Sequence, residues 1–223
     1  MPIMAGSKNH STIAMAHIFQ VSTRVSQDRL ERLIEERLKP GADKERIDRR
    51  IWDLFGEEWA VMFTDLAGFS RKVSDFGIIH FLQTIYESHR LLVPCIDRYD
   101  GILLKTAGDS MLVIFRSVAK ALECALEMQH TLVPYNADRI ESERVLLCVG
   151  LGFGRVLRIG DQDVFGPEVN AAAKLGEDRA RAHEILVTDA VAERVRDAVP
   201  HALEEIGAEP PGASKAYRLR YRD

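Results

Sequence analysis

Apolar residues at Leu30, Leu33, Ile34 and Leu38 follow helical spacing, and the run closes at the Pro40-Gly41 break. That pattern predicts a helix from Ser26, a capping residue, to about Leu38. A second helix is expected over Lys44 to Phe55. Both helices are thin in apolar content, as suits solvated helices packed on a larger domain or a dimerising or regulatory element. Residues 1–24 are weakly patterned, which predicts fraying or partner-dependent order. At Glu57 the text changes. Trp59 to Asp65 (WAVMFTD) is a short apolar run of strand formers ending in Thr-Asp. Ile79, Leu82, Ile85, Tyr86, His89, Val93 and Ile96 return to helical spacing and predict a long amphipathic helix over about 77–97.

Two strands are expected next, Tyr99 to Thr106 and Ser110 to Phe115, joined as a hairpin by Ala107-Gly108-Asp109. Val118, Ala121, Leu122, Ala125 and Leu126 stripe a further helix. Val145 to Phe153 reads as a buried strand, and Val164 to Leu175 as a turn running into a helix. Ile185 to Thr188 is another strand, followed by a helix from about Asp189 to Val195 and a closing strand over Ala216 to Tyr221. Strands and helices alternate, yet one adjacent strand pair is a hairpin. The expectation is a mixed sheet with helices on one or both faces.

Composition narrows the class. The chain has 223 residues, 46% hydrophobic and 29% charged, the balance of a globular protein. A formal charge of −4 argues against a nucleic-acid partner or an anionic membrane as its main target. No run approaches the roughly 20 apolar residues that span a bilayer, so no membrane span is expected. Cys95, Cys124 and Cys148 are odd in number, widely spaced and set among apolar neighbours, which reads as reduced core thiols in the cytoplasm.

Candidate chemistry gathers at a few positions. Asp65 ends an apolar strand just before Gly68, and Asp109 sits at a hairpin tip. Taken singly, the first is an ordinary helix cap and the second an ordinary turn residue. If their strands are neighbours, the two carboxylates share one rim and repel unless a hard divalent cation neutralises them. Ala67, Gly68, Phe69 and Ser70 lead into a helix start, where free backbone N–H groups suit phosphate. Lys105 lies among Leu103, Leu104 and Thr106, either as an edge residue snorkelling to water or as a donor in a pocket. Asp163, between Gly160 and Gly166, is most simply a loop carboxylate. Asn170 and Lys174 are four apart in VNAAAKL and share a helix face.

Three blocks in order, FTDLAGFS, LLKTAGDSMLVIF and DVFGPEVNAAAKL, resemble the signature blocks of class III nucleotidyl cyclases, most like the bacterial adenylate cyclases. The resemblance covers roughly residues 57–222 and leaves 1–56 outside as an N-terminal helical extension, with 57–223 as the catalytic domain. It implies an α+β fold with a ferredoxin-like βαββαβ core, a mixed and mainly antiparallel sheet, and flanking helices. It also implies conversion of ATP to cyclic AMP and pyrophosphate at sites shared across a head-to-tail homodimer. By the same resemblance, Asp65, Asp109 and the Leu66 carbonyl would hold two divalent ions, Mg²⁺ or Mn²⁺. The N–H groups of Ala67, Gly68, Phe69 and Ser70 would cradle phosphate. Lys105 and Asp163 match the residues that read the purine edge, a cation and carboxylate pair that suits adenine. Asn170 matches the residue that orients the ribose.

Two departures stand out. The family has Arg one turn after that Asn, where this chain has Lys174, which keeps the charge without the planar fork and implies a lower turnover. A phosphate-binding lysine expected before the last strand is replaced by PPGASK, with Lys215 shifted. Were the domain part of a larger receptor, as such domains commonly follow sensor modules, the helices within 26–55 would be a transmission segment.

Overall fold

A computed structural model describes residues 25–68, 77–161, 163–196, 202–207 and 210–221. The stretch 1–24, expected to fray, and the candidate residues Phe69 and Ser70 lie outside them. Two compact units form, one from the chain up to Gly56 with Leu157–Asp163, the other from Glu57–Val156 with Val164 onwards. In the first, helix α1 (25–38) and helix α2 (Lys44–Phe55) make a hairpin. Asp43 caps α2 by accepting from the Arg46 N–H at 3.0 Å. Leu33, Ile47, Ile51 and Phe55 pack with Ile159, and Arg37–Asp48 and Arg50–Glu36 ion pairs tie the two helices together.

The second unit is built on an eight-stranded sheet in the order β2-β3-β1-β4-β6-β8-β7, with β5 paired to β4. The strands are β1 (Gly56–Leu66), β2 (Ile102–Ala107), β3 (Ser110–Phe115), β4 (Leu147–Ile159), β5 (Asp163–Phe165), β6 (Ile185–Thr188), β7 (Ala202–Ile206) and β8 (Ala216–Arg220), with Gly56, the Leu157–Ile159 end of β4 and Asp163 counted in the first unit. Helices α3 (Ile78–Arg98) and α4 (Val118–Ala137) complete the expected βαββαβ order. Further on come α5 (Pro167–Ala173), a π-helical turn (Lys174–Arg179) and α6 (Asp189–Val195). The β1–β3, β2–β3, β6–β8 and β7–β8 pairs are antiparallel, and β4–β6 is parallel.

Central strands are apolar on both faces, so each side of the sheet carries a core. Ala60, Met62, Met111, Val113, Leu147, Val149 and Leu151 face Leu92, Leu122, Met128 and Val191 from α3, α4 and α6. Trp59, Val61, Leu112, Ile114 and Val164 face Val169 and Ala172 of α5. Only glycine lets α5 lie so near the sheet. A Cβ at Gly150 would sit 2.2 Å from the Ala172 carbonyl oxygen, and one at Gly152 would sit 2.5 Å from that of Glu168. At Gly154 it would reach the Glu168 side chain at 2.8 Å. These three β4 glycines alternate, so one face of the strand is bare backbone. Gly176 meets them from the helical side, its Cβ position 2.8 Å from the Phe63 carbonyl and 3.0 Å from the Gly150 nitrogen. Glu168 fastens the contact, its Oε2 accepting from the Phe153 N–H and the Thr188 hydroxyl, each at 3.0 Å.

Some expected boundaries shift for local reasons. β2 begins at Ile102 rather than Tyr99, because α3 runs to Arg98 and Asp100, at φ 56°, turns the chain. The segment expected as a turn at Val164 is strand β5. β7 (Ala202–Ile206) is not predicted by the apolar pattern. It is an edge strand whose Glu204 carboxylate pairs with Arg218 and Arg220 of β8, so charge rather than apolar alternation marks it.

Gly150→Ala is expected to lower stability by about 1–3 kcal/mol, the usual cost of overpacking against fixed backbone. Gly207→Ala, where nothing lies within 4 Å, should stay within about 0.5 kcal/mol. Urea unfolding of both variants checks the contrast.

Candidate active site

Asp65, one residue before the end of β1, lies on the α5 side of the sheet. Trp59, Val61 and Phe63 point to that side, and Asp65 continues the alternation. The β1–β3 register places Thr64 opposite Met111, so the next pair is Asp65 and Ser110. The Ser110 hydroxyl donates to Asp65 Oδ1 at 3.2 Å. Asp109, one residue earlier at the hairpin tip, hydrogen-bonds to the Asp65 side chain, so the two carboxylates meet. Both are half-buried, and the Leu66 amide is hydrogen-bonded to each.

The meeting is electrostatically costly. Burial raises the Asp109 carboxyl from the ordinary range to about 7, and the neighbouring Asp65 charge adds to the rise. Burial raises Asp65 as well, with a further push from Asp178. Asp109 Oδ2 is buried without a hydrogen-bond partner among the described residues. An orphaned carboxylate oxygen beside a second carboxylate is the donor set of a hard divalent cation. Among the described residues no group of three or more His, Cys, Asp or Glu gathers to enclose an ion.

Sequence reasoning missed one carboxylate here. Glu177, on the π-helical turn, is within hydrogen-bonding reach of the Ser110 hydroxyl, and burial and the Asp65 charge raise its carboxyl. Its approach depends on Gly176 seating the turn against β1 and β4, and the spacing of LGED gave no sign of it. Under the pair lies Cys148, whose thiol burial pushes up to about 12, and all three cysteines are buried and unpaired with one another.

Asn170 is exposed on α5. The Lys174 N–H still donates to the Asn170 carbonyl, so the two residues are one turn apart although the π-helical turn begins at Lys174. The Lys174 ammonium pairs with the Asp178 carboxylate. Lys105 is exposed on β2, where a bulge between Leu103 and Lys105 re-phases the strand. Leu103 opposes Val113 and Lys105 opposes Leu112, so Lys105 points to the same side of the sheet as Asp65. Strict alternation from Leu103 would have sent it to the other side. Asp163 opens β5, half-buried, and belongs to the unit of the N-terminal helices.

Of the phosphate-cradle residues, Ala67 donates its N–H to the Leu146 carbonyl at 2.8 Å, and Gly68 turns the chain at φ 80°. The Lys215 ammonium pairs with Glu205 at 3.0 Å. No described helix is long and apolar enough to cross a membrane.

Known proteins share this fold. Residues 56–216 match the family described as the adenylate and guanylate cyclase catalytic domain. An adenylate cyclase of Streptomyces coelicolor is 33% identical over 165 residues, 72% of this chain and 39% of that protein. One of Mycobacterium tuberculosis is 30% identical over 189 residues, 76% of this chain and 41% of that protein. The chain thus spans about two fifths of the length of these relatives. Among solved structures, an adenylate/guanylate cyclase/hydrolase from Silicibacter pomeroyi superposes with a TM-score of 0.68 at 27% identity, covering 75% of this chain and 98% of that one. An eight-stranded sheet with a carboxylate pair at one rim, matched over most of its length by this family, leaves one assignment: the chain belongs to the class III nucleotidyl cyclase catalytic domains.

Proposed function

We propose that this chain is an adenylate cyclase domain that converts ATP to 3′,5′-cyclic AMP and pyrophosphate across a head-to-tail homodimer. The observation that carries the reading is the Asp65–Asp109 pair with its orphaned Asp109 oxygen. Asp65, Asp109 and the Leu66 carbonyl would hold two divalent ions, Mg²⁺ or Mn²⁺. When bound, these supply Lewis acidity for the ribose 3′-hydroxyl and charge neutralisation for the triphosphate and departing pyrophosphate.

The chain's own groups do the positioning. Gly68 and the residues after it offer backbone N–H groups to phosphate oxygens, with Ala67 anchoring that turn to Leu146. Asn170 orients the ribose, and Lys174, one turn on, presents its ammonium to charge developing on the α-phosphate. Lys105 and Asp163 contributed by a second copy read the purine edge. Lysine donates to an adenine ring nitrogen and the carboxylate accepts from the amino group, whereas guanine presents the reverse pattern. The helices before Glu57 would pass a regulatory input to the dimer. ATP as substrate and reduced buried thiols both suit the cytoplasm.

Purified protein offered ATP or GTP with Mn²⁺ or Mg²⁺ is expected to form cyclic AMP, and Asp109→Ala to abolish it. Cyclic GMP instead would reverse the purine assignment, and no product from either nucleotide at high protein concentration would leave a nucleotide-binding, dimerising module. Mixing Asp65→Ala with Lys105→Ala, each inactive alone, should restore up to one working site per heterodimer, and no recovery argues against a shared site.

Stability should follow the carboxylate pair in the presence of a chelator. The raised Asp109 pKa means its contribution is complete below about pH 4 and is lost as pH rises through about 7. Asp109→Asn should therefore melt progressively above wild type from pH 5 to pH 8, and added Mn²⁺ should stabilise wild type selectively.

A further inference from the structure

Lys174 does not stand alone on its helix face. Its ammonium pairs with Asp178, four residues on, with the two side chains 43% and 54% exposed. Asp178 is carried by a turn whose position the sheet dictates. Gly176 is wedged against the Phe63 carbonyl and the Gly150 nitrogen, and the Ala180 N–H closes the turn on the Leu175 carbonyl at 2.8 Å, a five-residue π-type bond. The backbone carrying Asp178 is thus set by the sheet, one turn from Lys174. The same carboxylate also acts on Asp65, which places its charge next to the metal-binding rim.

A lysine is a point charge with three donors on a flexible stem, and it exchanges one anion for another readily. A nucleotide phosphate reaching Lys174 must take the ammonium from Asp178 or share it. We propose that Asp178 is an intramolecular competitor for Lys174, holding the ammonium until a nucleoside triphosphate displaces it, so that this ion pair sets part of the nucleotide affinity. The inference rests on Lys174 meeting phosphate, as in the proposed function. Asp178 is a positioning residue: it acts on substrate only through Lys174. An arginine at this position would grip the same carboxylate in a fork. Lysine leaves the pair weak enough to exchange, on the scale of an exposed helical ion pair.

The test is equilibrium binding of α,β-methylene-ATP with Mg²⁺, followed calorimetrically on wild type, Asp178→Asn, Lys174→Ala and the double variant. Circular dichroism confirms that each is folded, and Asp178→Ser serves as a second neutral replacement. Asp178→Asn and Asp178→Ser should each tighten binding about two- to fivefold, the span of an exposed ion pair. Lys174→Ala should weaken binding, and adding Asp178→Asn to it should change nothing further. Asp178→Glu, which can keep the pair, should bind as wild type does. Equal tightening with Lys174 absent would mean general charge repulsion and overturn the proposal. No tightening by Asp178→Asn while Lys174→Ala still weakens binding would overturn it and leave the nucleotide reading intact. Unchanged affinity in Lys174→Ala would remove both.

Discussion

Everything at the rim depends on how closely α5 and the π-helical turn approach the sheet. Helix against sheet normally leaves a side-chain layer of about 10 Å between backbones. Here Gly150, Gly152 and Gly154 strip one face of β4, and Gly176 strips the matching point of the turn, so backbone meets backbone. That contact brings Glu177 to Ser110 and sets Asn170 and Lys174 on a helix seated directly on β4. It leaves no tolerance for a methyl group at Gly150, which is why four small positions govern the placement of several charged ones.

The second constraint is electrostatic. Asp65 and Asp109 are gathered where neither is fully hydrated: burial raises both carboxyls, and the Asp65 charge raises Asp109 further. Asp178 and Glu177 add to the negative charge instead of relieving it, and the nearest cation on the turn, Lys174, is engaged by Asp178. A fold does not gather unmatched carboxylates for stability. The arrangement would become favourable with positive charge from outside, and under the proposed function cation and nucleotide binding would fall to the same few residues.

The amount legible in the sequence differed by scale. Helices with strong apolar stripes were readable to within a few residues, because a 3.6-residue period over three or more turns has few competing explanations. Ile78–Arg98, expected over about 77–97, is the example. β7 was not readable, since an edge strand held by Glu204 with Arg218 and Arg220 carries no apolar alternation. Asp65 and Asp109 could be singled out by their places after apolar runs, and the three motif blocks brought the family with them. Glu177 and Asp178 could not, because nothing in local spacing reveals what a helical turn will be pressed against.

The sequence by itself determined the order of elements, the apolar faces that bury them, and the acidic and polar residues available for chemistry. Tertiary structure decided which of these meet. A single extra residue in β2, the bulge at Leu104, turns Lys105 to the side of the sheet that carries Asp65. The π-type widening after Asn170 brings Glu177 to the rim and leaves Lys174 paired with Asp178. Both are shifts of one residue in register. A period of 2 or 3.6 is a local property of the chain, whereas register is chosen by the partner strand or sheet that the element packs against.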